Sequence, residues 1–127
     1  MRRTQQRRAA VVALYQQEVT GRPLDELLGP RASEFTRDLV DGVEREREAL
    51  DERIERHSVD WALERIAPLE RSILRVALFE IVHRSDVPAE VAIDEAVEAA
   101  KELCGAGAPG FVNGVLAAAH RDEAAAR

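Results

Sequence analysis

Apolar residues recur along this chain at helical spacing, and no stretch sustains the period-two alternation of a strand, so the pattern predicts an all-α protein. The first helix is expected over about Arg7 to Val19, with Val11, Val12, Leu14, Tyr15 and Val19 as a broad apolar face, and Gly21 and Pro23 stop it. A short helical turn over Leu24 to Leu28 ends at Gly29 and Pro30. From Ser33 to about His57, Phe35, Leu39, Val43, Leu50 and Ile54 fall at multiples near the helical repeat and predict one long amphipathic helix. Gly42 inside it costs about 1 kcal/mol relative to alanine, which points to a close approach by another helix there. The charge run REREALDERIER forms its solvated face.

Trp61, Leu63 and Ile66 give a short helix that Pro68 closes. The segment from Leu69 to about His83 is apolar on more than one side, the mark of a central buried helix. Pro88 interrupts. Asp94 then reads as the N-cap of a helix carrying Ala96, Val97, Ala100 and Leu103, ended by Gly105 and Gly107. A last helix starts near Pro109, a residue suited to the first helical turn, and packs Phe111, Val112, Val115, Leu116 and Ala119. Beyond His120 the tail is expected to fray.

A length of 127 residues fits one compact domain, and 46% apolar with 33% charged residues can close one core beneath a solvated surface. The net charge of −6 argues against a nucleic-acid partner, but its distribution changes that reading. Arg2, Arg3, Arg7 and Arg8 form a basic arm within residues 1–8, and no acid appears before Glu18. Screening over roughly 8–10 Å hides distant acids from such a cluster, so it can hold phosphates locally. A solvated helix start accounts for the same residues. Tyr15 offers a face on which an unpaired base could stack, or serves in helix packing. Arg75 and Glu80 lie inside the most apolar segment, where a charge is costly unless it reaches a rim or is paired.

Other candidate chemistry is weak. The single cysteine, Cys104, rules out an intrachain disulfide and a cysteine cage, and its place in the last turn of a helix disfavours a thiolate. Gly105, Gly107 and Gly110 match a GxGxxG spacing, but a helix and not a strand precedes them, and Pro109 removes an amide that a pyrophosphate would use. His57, Ser58 and Asp60 are too close in sequence to act in series as a triad, and His57, His83 and His120 lack ligand-type partners at i+4. No cofactor or metal is expected. The basic start lacks a signal-peptide pattern and no run has the roughly 18 apolar residues of a membrane span, so a soluble cytoplasmic protein is expected.

In chain order, the arginine-rich start with AVVALYQQE, then FTRDLVDGV, the W-x-L-x-R-I of Trp61 to Ile66, LERSILRVALFEI, DVPAEVAIDEAVEAAKEL and PGFVNGVL together resemble the NusB family of transcription-antitermination and ribosomal-RNA-processing factors. The resemblance covers nearly the whole chain, and its last three segments are the most specific. It implies a bundle of about seven helices and a non-enzymatic protein that binds single-stranded boxA-type RNA. It also implies a partner, the ribosomal protein NusE, and through it an indirect association with RNA polymerase. By position it places Arg3 and Arg7, with Arg2 and Arg8 beside them, in an RNA-binding start, where Thr4, Gln5 and Gln6 thin the basic cluster. Phe111 and Asn113 are implied on an RNA face, and Tyr15, Arg75 and Glu80 near the protein-partner surface. An exposed partner surface serves NusE or a homodimer alike. Two other roles fit such a fold: a protein-interaction scaffold, and an RNA-binding accessory domain like those of ribosomal-RNA cytosine methyltransferases, for which this length leaves no catalytic domain.

Overall fold

The computed structural model describes residues 2–59 and 62–126. Seven α-helices are found among them: α1 (Arg3–Thr20), α2 (Leu24–Leu28), α3 (Glu34–Arg45), α4 (Arg47–His57), α5 (Pro68–His83), α6 (Ala89–Leu103) and α7 (Ala108–Ala125), with a 3-10 turn at Leu63–Arg65. Trp61, expected to open a short helix, lies outside the described residues, and Leu63 and Ile66 flank the 3-10 turn.

Helix α5 is the axis of the bundle. Every residue from Ser72 to Ile81 is buried, because α1, α3, α4, α6 and α7 all pack against it. Small residues allow this crowding. Ala92, Ala96, Ala99 and Ala100 form the buried face of α6, and Ala10 and Ala13 lie beside Val11 and Leu14 on α1. The apolar face of α1 is therefore narrower than the sequence pattern suggests: Val12 and Val19 are exposed and Tyr15 is half-buried. At Gly42 an added Cβ would sit 2.1 Å from Cζ of Phe79, so the glycine marks the close approach of α3 to α5 that the sequence predicts.

Several boundaries differ from the sequence reading. The expected long helix is two helices. Glu46, at φ −102° and ψ 12°, bends the chain while the bonds from Glu46 N–H to Gly42 O and from Leu50 N–H to Glu46 O bridge the bend. Between Val43 and Leu50 no bulky apolar side chain anchors the helix, and the bend lets α3 follow α1 and α5 while Leu50 and Ile54 on α4 follow α5 and α7. Helix α6 begins at Ala89 with Pro88 as N-cap, whose carbonyl accepts the N–H of Val91 and Ala92; Asp94 is an exposed mid-helix residue, not a cap. Helix α7 continues past His120 to Ala125, with Asp122 paired to Arg56 and His57 and Glu123 to Arg53.

The N-terminus is also more ordered than an arm. Helix α1 starts at Arg3, Gln5 Oε1 accepts the N–H of Arg2, and Gly21, at φ 75°, ends the helix by donating its N–H to Gln17 O. Ser33 caps α3 by accepting the N–H of Thr36, and the Thr36 hydroxyl donates to Gln6 O, which fastens α3 to the start of α1. Among the described residues, no helix is long and apolar enough to cross a membrane.

Candidate nucleic-acid interface

The four N-terminal arginines are alike in type, but the fold divides them. Arg7 turns inward. It is 6% exposed, and its Nε and Nη2 donate to both oxygens of Glu80, itself 1% exposed, at 2.8–3.1 Å. Glu95 adds a weaker contact at 3.8 Å. Burial pulls the Arg7 pKa down, but the hydrogen bonds and charge of Glu80, with Glu95 behind it, outweigh that and hold it above its ordinary value. Arg7 is thus a structural pin between α1 and α5, and its forked side chain is not offered to solvent as the sequence reading expected.

For Arg75 and Glu80 the sequence leaves a rim position and an ion pair open, and the structure shows ion pairs, with both side chains interior. Arg75 is 4% exposed, with Nε and Nη2 donating to the two oxygens of Asp51 on α4 and Nη1 to Glu18 on α1. Arg71 also reaches Glu18, at 2.7 Å. Desolvated charges persist only when paired this way, and no free edge is left for a partner protein. Because Arg7 meets Glu80 while Glu18 meets Arg71, α1 and α5 run in opposite directions.

What remains accessible is the outer side of α1. Arg2 is exposed, the Arg3 side chain is 48% exposed, and Arg8 lies against Glu102 and the Glu95 carbonyl. Arg8, Val12, Tyr15 and Val19 follow at spacings of four, three and four, which aligns them as one stripe along the helix.

Sequence reasoning missed a cluster at the α1 end nearest the α5–α6 turn. The guanidinium carbons of Arg3, Arg84 and Arg7 lie 4.2, 5.0 and 5.3 Å from the centre of the Phe35 ring. Asp86 bridges two of them, accepting from Arg84 at 2.8 and 3.0 Å and from Arg3 at 3.4 Å. The only signal in the sequence was the Arg-x-Asp spacing in a turn. The Arg84 fork holds the Asp86 carboxyl at about 2, below its ordinary 3.8. Since the folded-state value is the lower one, the stabilisation it brings is full above the ordinary value and is lost as pH falls through about 2. A carbon-13 titration of the Asp86 carboxyl should show that low midpoint, and in Arg84→Gln it should move back up; an unchanged midpoint would rule out the fork as its cause.

Phe111 and Asn113 lie elsewhere. Phe111, half-buried, lines a cavity of about 390 Å³ with Arg65, Ile66, Glu70 and Gly107, at the N-terminal end of α5. Arg3 sits near the opposite end, since its neighbour Asp86 follows the C-terminus of α5. The ten residue steps along α5 from Glu70 to Glu80 already span roughly 15 Å. Asn113 is exposed and roughly 200° around α7 from Phe111, so the two do not share a face. The glycines of the GxGxxG match occupy the α6–α7 connection and the first turns of α7, with no strand before them.

Cys104 caps α6, where burial and the charge of Glu70 raise its pKa and keep the thiol protonated.

The NusB family pattern matches residues 4–121. The transcription antitermination protein NusB of Rubrobacter xylanophilus is 44% identical over 122 residues, covering 91% of this chain and 88% of that protein. In three dimensions the chain resembles NusB of T. maritima at a TM-score of 0.89 and 31% identity, covering 98% of this chain and 94% of that one. It also resembles a chain in the crystal structure of the antitermination factors NusB and NusE in complex with dsRNA, at a TM-score of 0.82 and 27% identity, covering 96% and 99% respectively. With a family match across nearly its whole length and the same helical bundle, this chain belongs to the NusB family.

Proposed function

We propose that this protein is a cytoplasmic, non-enzymatic transcription antitermination factor that binds single-stranded boxA-type RNA together with NusE and supports transcription and processing of ribosomal RNA. The reading rests on the start of α1, where a helix pinned from inside by Arg7 and Glu80 presents Arg2 and Arg3 outward on an otherwise acidic protein. Arginine forks match phosphate oxygens, and fixing their helix reduces the entropy lost on binding. Arg8 follows five residues after Arg3, roughly 140° around α1, with its side chain 15% exposed beside Glu102. Phe111 and Asn113 are separate contacts that an extended strand reaches only by running along the bundle. The Val12, Tyr15 and Val19 stripe is the surface offered to NusE, a role taken from Arg75 and Glu80 by their burial. The resemblance to a NusB–NusE–RNA assembly supports the pairing; because that RNA is double-stranded, a duplex belongs among the controls.

The test is a titration of the protein into boxA-like RNA, a scrambled strand and a duplex, with and without NusE, at two salt concentrations. Binding should prefer boxA, strengthen with NusE, and weaken with salt. An Arg2→Ala, Arg3→Ala variant should lose affinity and flatten the salt slope by about 1.4, at roughly 0.7 per single-strand phosphate contact. Equal or absent binding to all three RNAs under every condition would replace this reading with a protein-interaction scaffold.

A further inference from the structure

Arg3 and Arg84 differ from the two interior arginines, Arg7 and Arg75, in what neutralises them. Arg7 and Arg75 are closed off by buried or half-buried acids, whereas Arg3 and Arg84 share a carboxylate on an exposed turn. The Asp86 side chain is 49% exposed, and the turn that carries it runs between the end of α5 and Pro88, closed by Val87 N–H donating to Arg84 O. Asp38 approaches Arg84 at 3.6 Å from α3, but through a side chain that is 54% exposed. Phe35, 8% exposed, forms the floor, with the guanidinium carbons of Arg3 and Arg84 4.2 and 5.0 Å from its ring centre, a cation–ring attraction that is present whether or not the acid is there.

We propose that Arg3 and Arg84 over Phe35 form a phosphodiester cradle for the RNA strand, and that Asp86 occupies it in the free protein as an internal stand-in for phosphate. The proposal rests on the RNA-binding reading above and adds to it a site and a gate. A carboxylate and a phosphodiester each bring one negative charge and two oxygens to an arginine fork, so exchanging one for the other keeps the charge balance of the cradle. Asp86 gives up its hydrogen bonds to Arg84 and Arg3 when it leaves, a loss that rehydration on the exposed turn and the incoming phosphate oxygens offset. Its competition discounts the affinity of every polyanion for this end of α1, and a strand also held by Arg2 and Arg8 overcomes that discount where an isolated anion does not.

The experiment combines RNA titration of Asp86→Asn and Arg84→Gln, with NusE present, and nitrogen-15 spectra of the arginine Nε–H groups of the unsubstituted protein with and without boxA-like RNA. Asp86→Asn should bind roughly fivefold tighter at low salt, and Arg84→Gln should bind several-fold weaker with a salt slope shallower by about 0.7. The Arg84 Nε–H signal should shift when RNA is added, a result that needs no variant to fold. If both variants bind as the parent does and the Arg84 signal stays put, while Arg2→Ala, Arg3→Ala still loses binding, the cradle is wrong and the RNA-binding reading stands. If the unsubstituted protein binds none of the RNAs, both fall together. A shift of the Arg84 signal on adding scrambled RNA to the same extent would keep the cradle and deny it any part in sequence preference.

Discussion

Glu80→Ala should cost about 3–5 kcal/mol of folding stability, the effect of leaving the Arg7 guanidinium buried without its partner. Three hydrogen bonds link the pair, and the remaining acid near Arg7, Glu95, stands 3.8 Å away and cannot replace a two-oxygen acceptor. For a chain of this size the loss corresponds to a fall in Tm of about 15 °C. Urea unfolding followed by circular dichroism measures it. Removing both charges should be much milder: Arg7→Met with Glu80→Leu replaces two desolvated ions by apolar groups of similar reach, and the double variant should recover most of the stability. A Glu80→Ala loss under about 1 kcal/mol, or a double variant no better than the single, would show that water reaches the pair.

The same pair affects how arginine substitutions are read. Arg7→Ala would weaken RNA binding by loosening the start of α1, even though Arg7 is only 6% exposed, so Arg2 and Arg3 are the positions that test contact with RNA.

The sequence could not have separated these roles. Arg2, Arg3, Arg7 and Arg8 are equivalent as residue types, and what sorts them is a partner 73 positions away for Arg7 and an α5–α6 turn 83 positions away for Arg3. Helical periodicity placed α5 at the centre because an apolar run with no free side has only one place to go. It put the start of α7 near Pro109 for a local reason, the tolerance of the first turn for proline. It joined α3 to α4, since a bend at Glu46 that keeps its flanking hydrogen bonds leaves no Gly or Pro signal. It also started α6 late: a proline N-cap works through its backbone alone, whereas Asp94 has the side chain of a cap without the position. Arg75 and Glu80 were recognisable as charges needing an explanation. Which of the two explanations held depended on Asp51, Glu18 and Arg7, and those contacts are long-range.

Gly42→Ala should destabilise the protein by about 2 kcal/mol, and the sign matters more than the size. In an exposed mid-helix position the same change would stabilise by roughly 1 kcal/mol, because alanine is the better helix former. Here the new methyl would meet Cζ, Cε1 and Cε2 of Phe79 at 2.1, 2.3 and 2.7 Å. The ring cannot simply step aside: Phe79 is 4% exposed and lies 5.2 Å from the ring of His83. Moving α3 away instead would open the contact that carries Phe35 and Thr36, and with them the floor under Arg3 and the hydroxyl bond to Gln6. Overpacking of this kind costs typically 1–3 kcal/mol and exceeds the helix-propensity gain. A double-mutant cycle with Phe79→Leu isolates the clash. The smaller residue costs stability in the parent, but in Gly42→Ala it removes the obstruction, so the two changes should couple favourably by at least about 1 kcal/mol. Additive effects, or a stabilising Gly42→Ala, would mean that α3 and α5 pack more loosely than these distances require. Favourable coupling accompanied by weaker RNA binding in Gly42→Ala alone would tie the α3–α5 contact to the arginine cluster it supports.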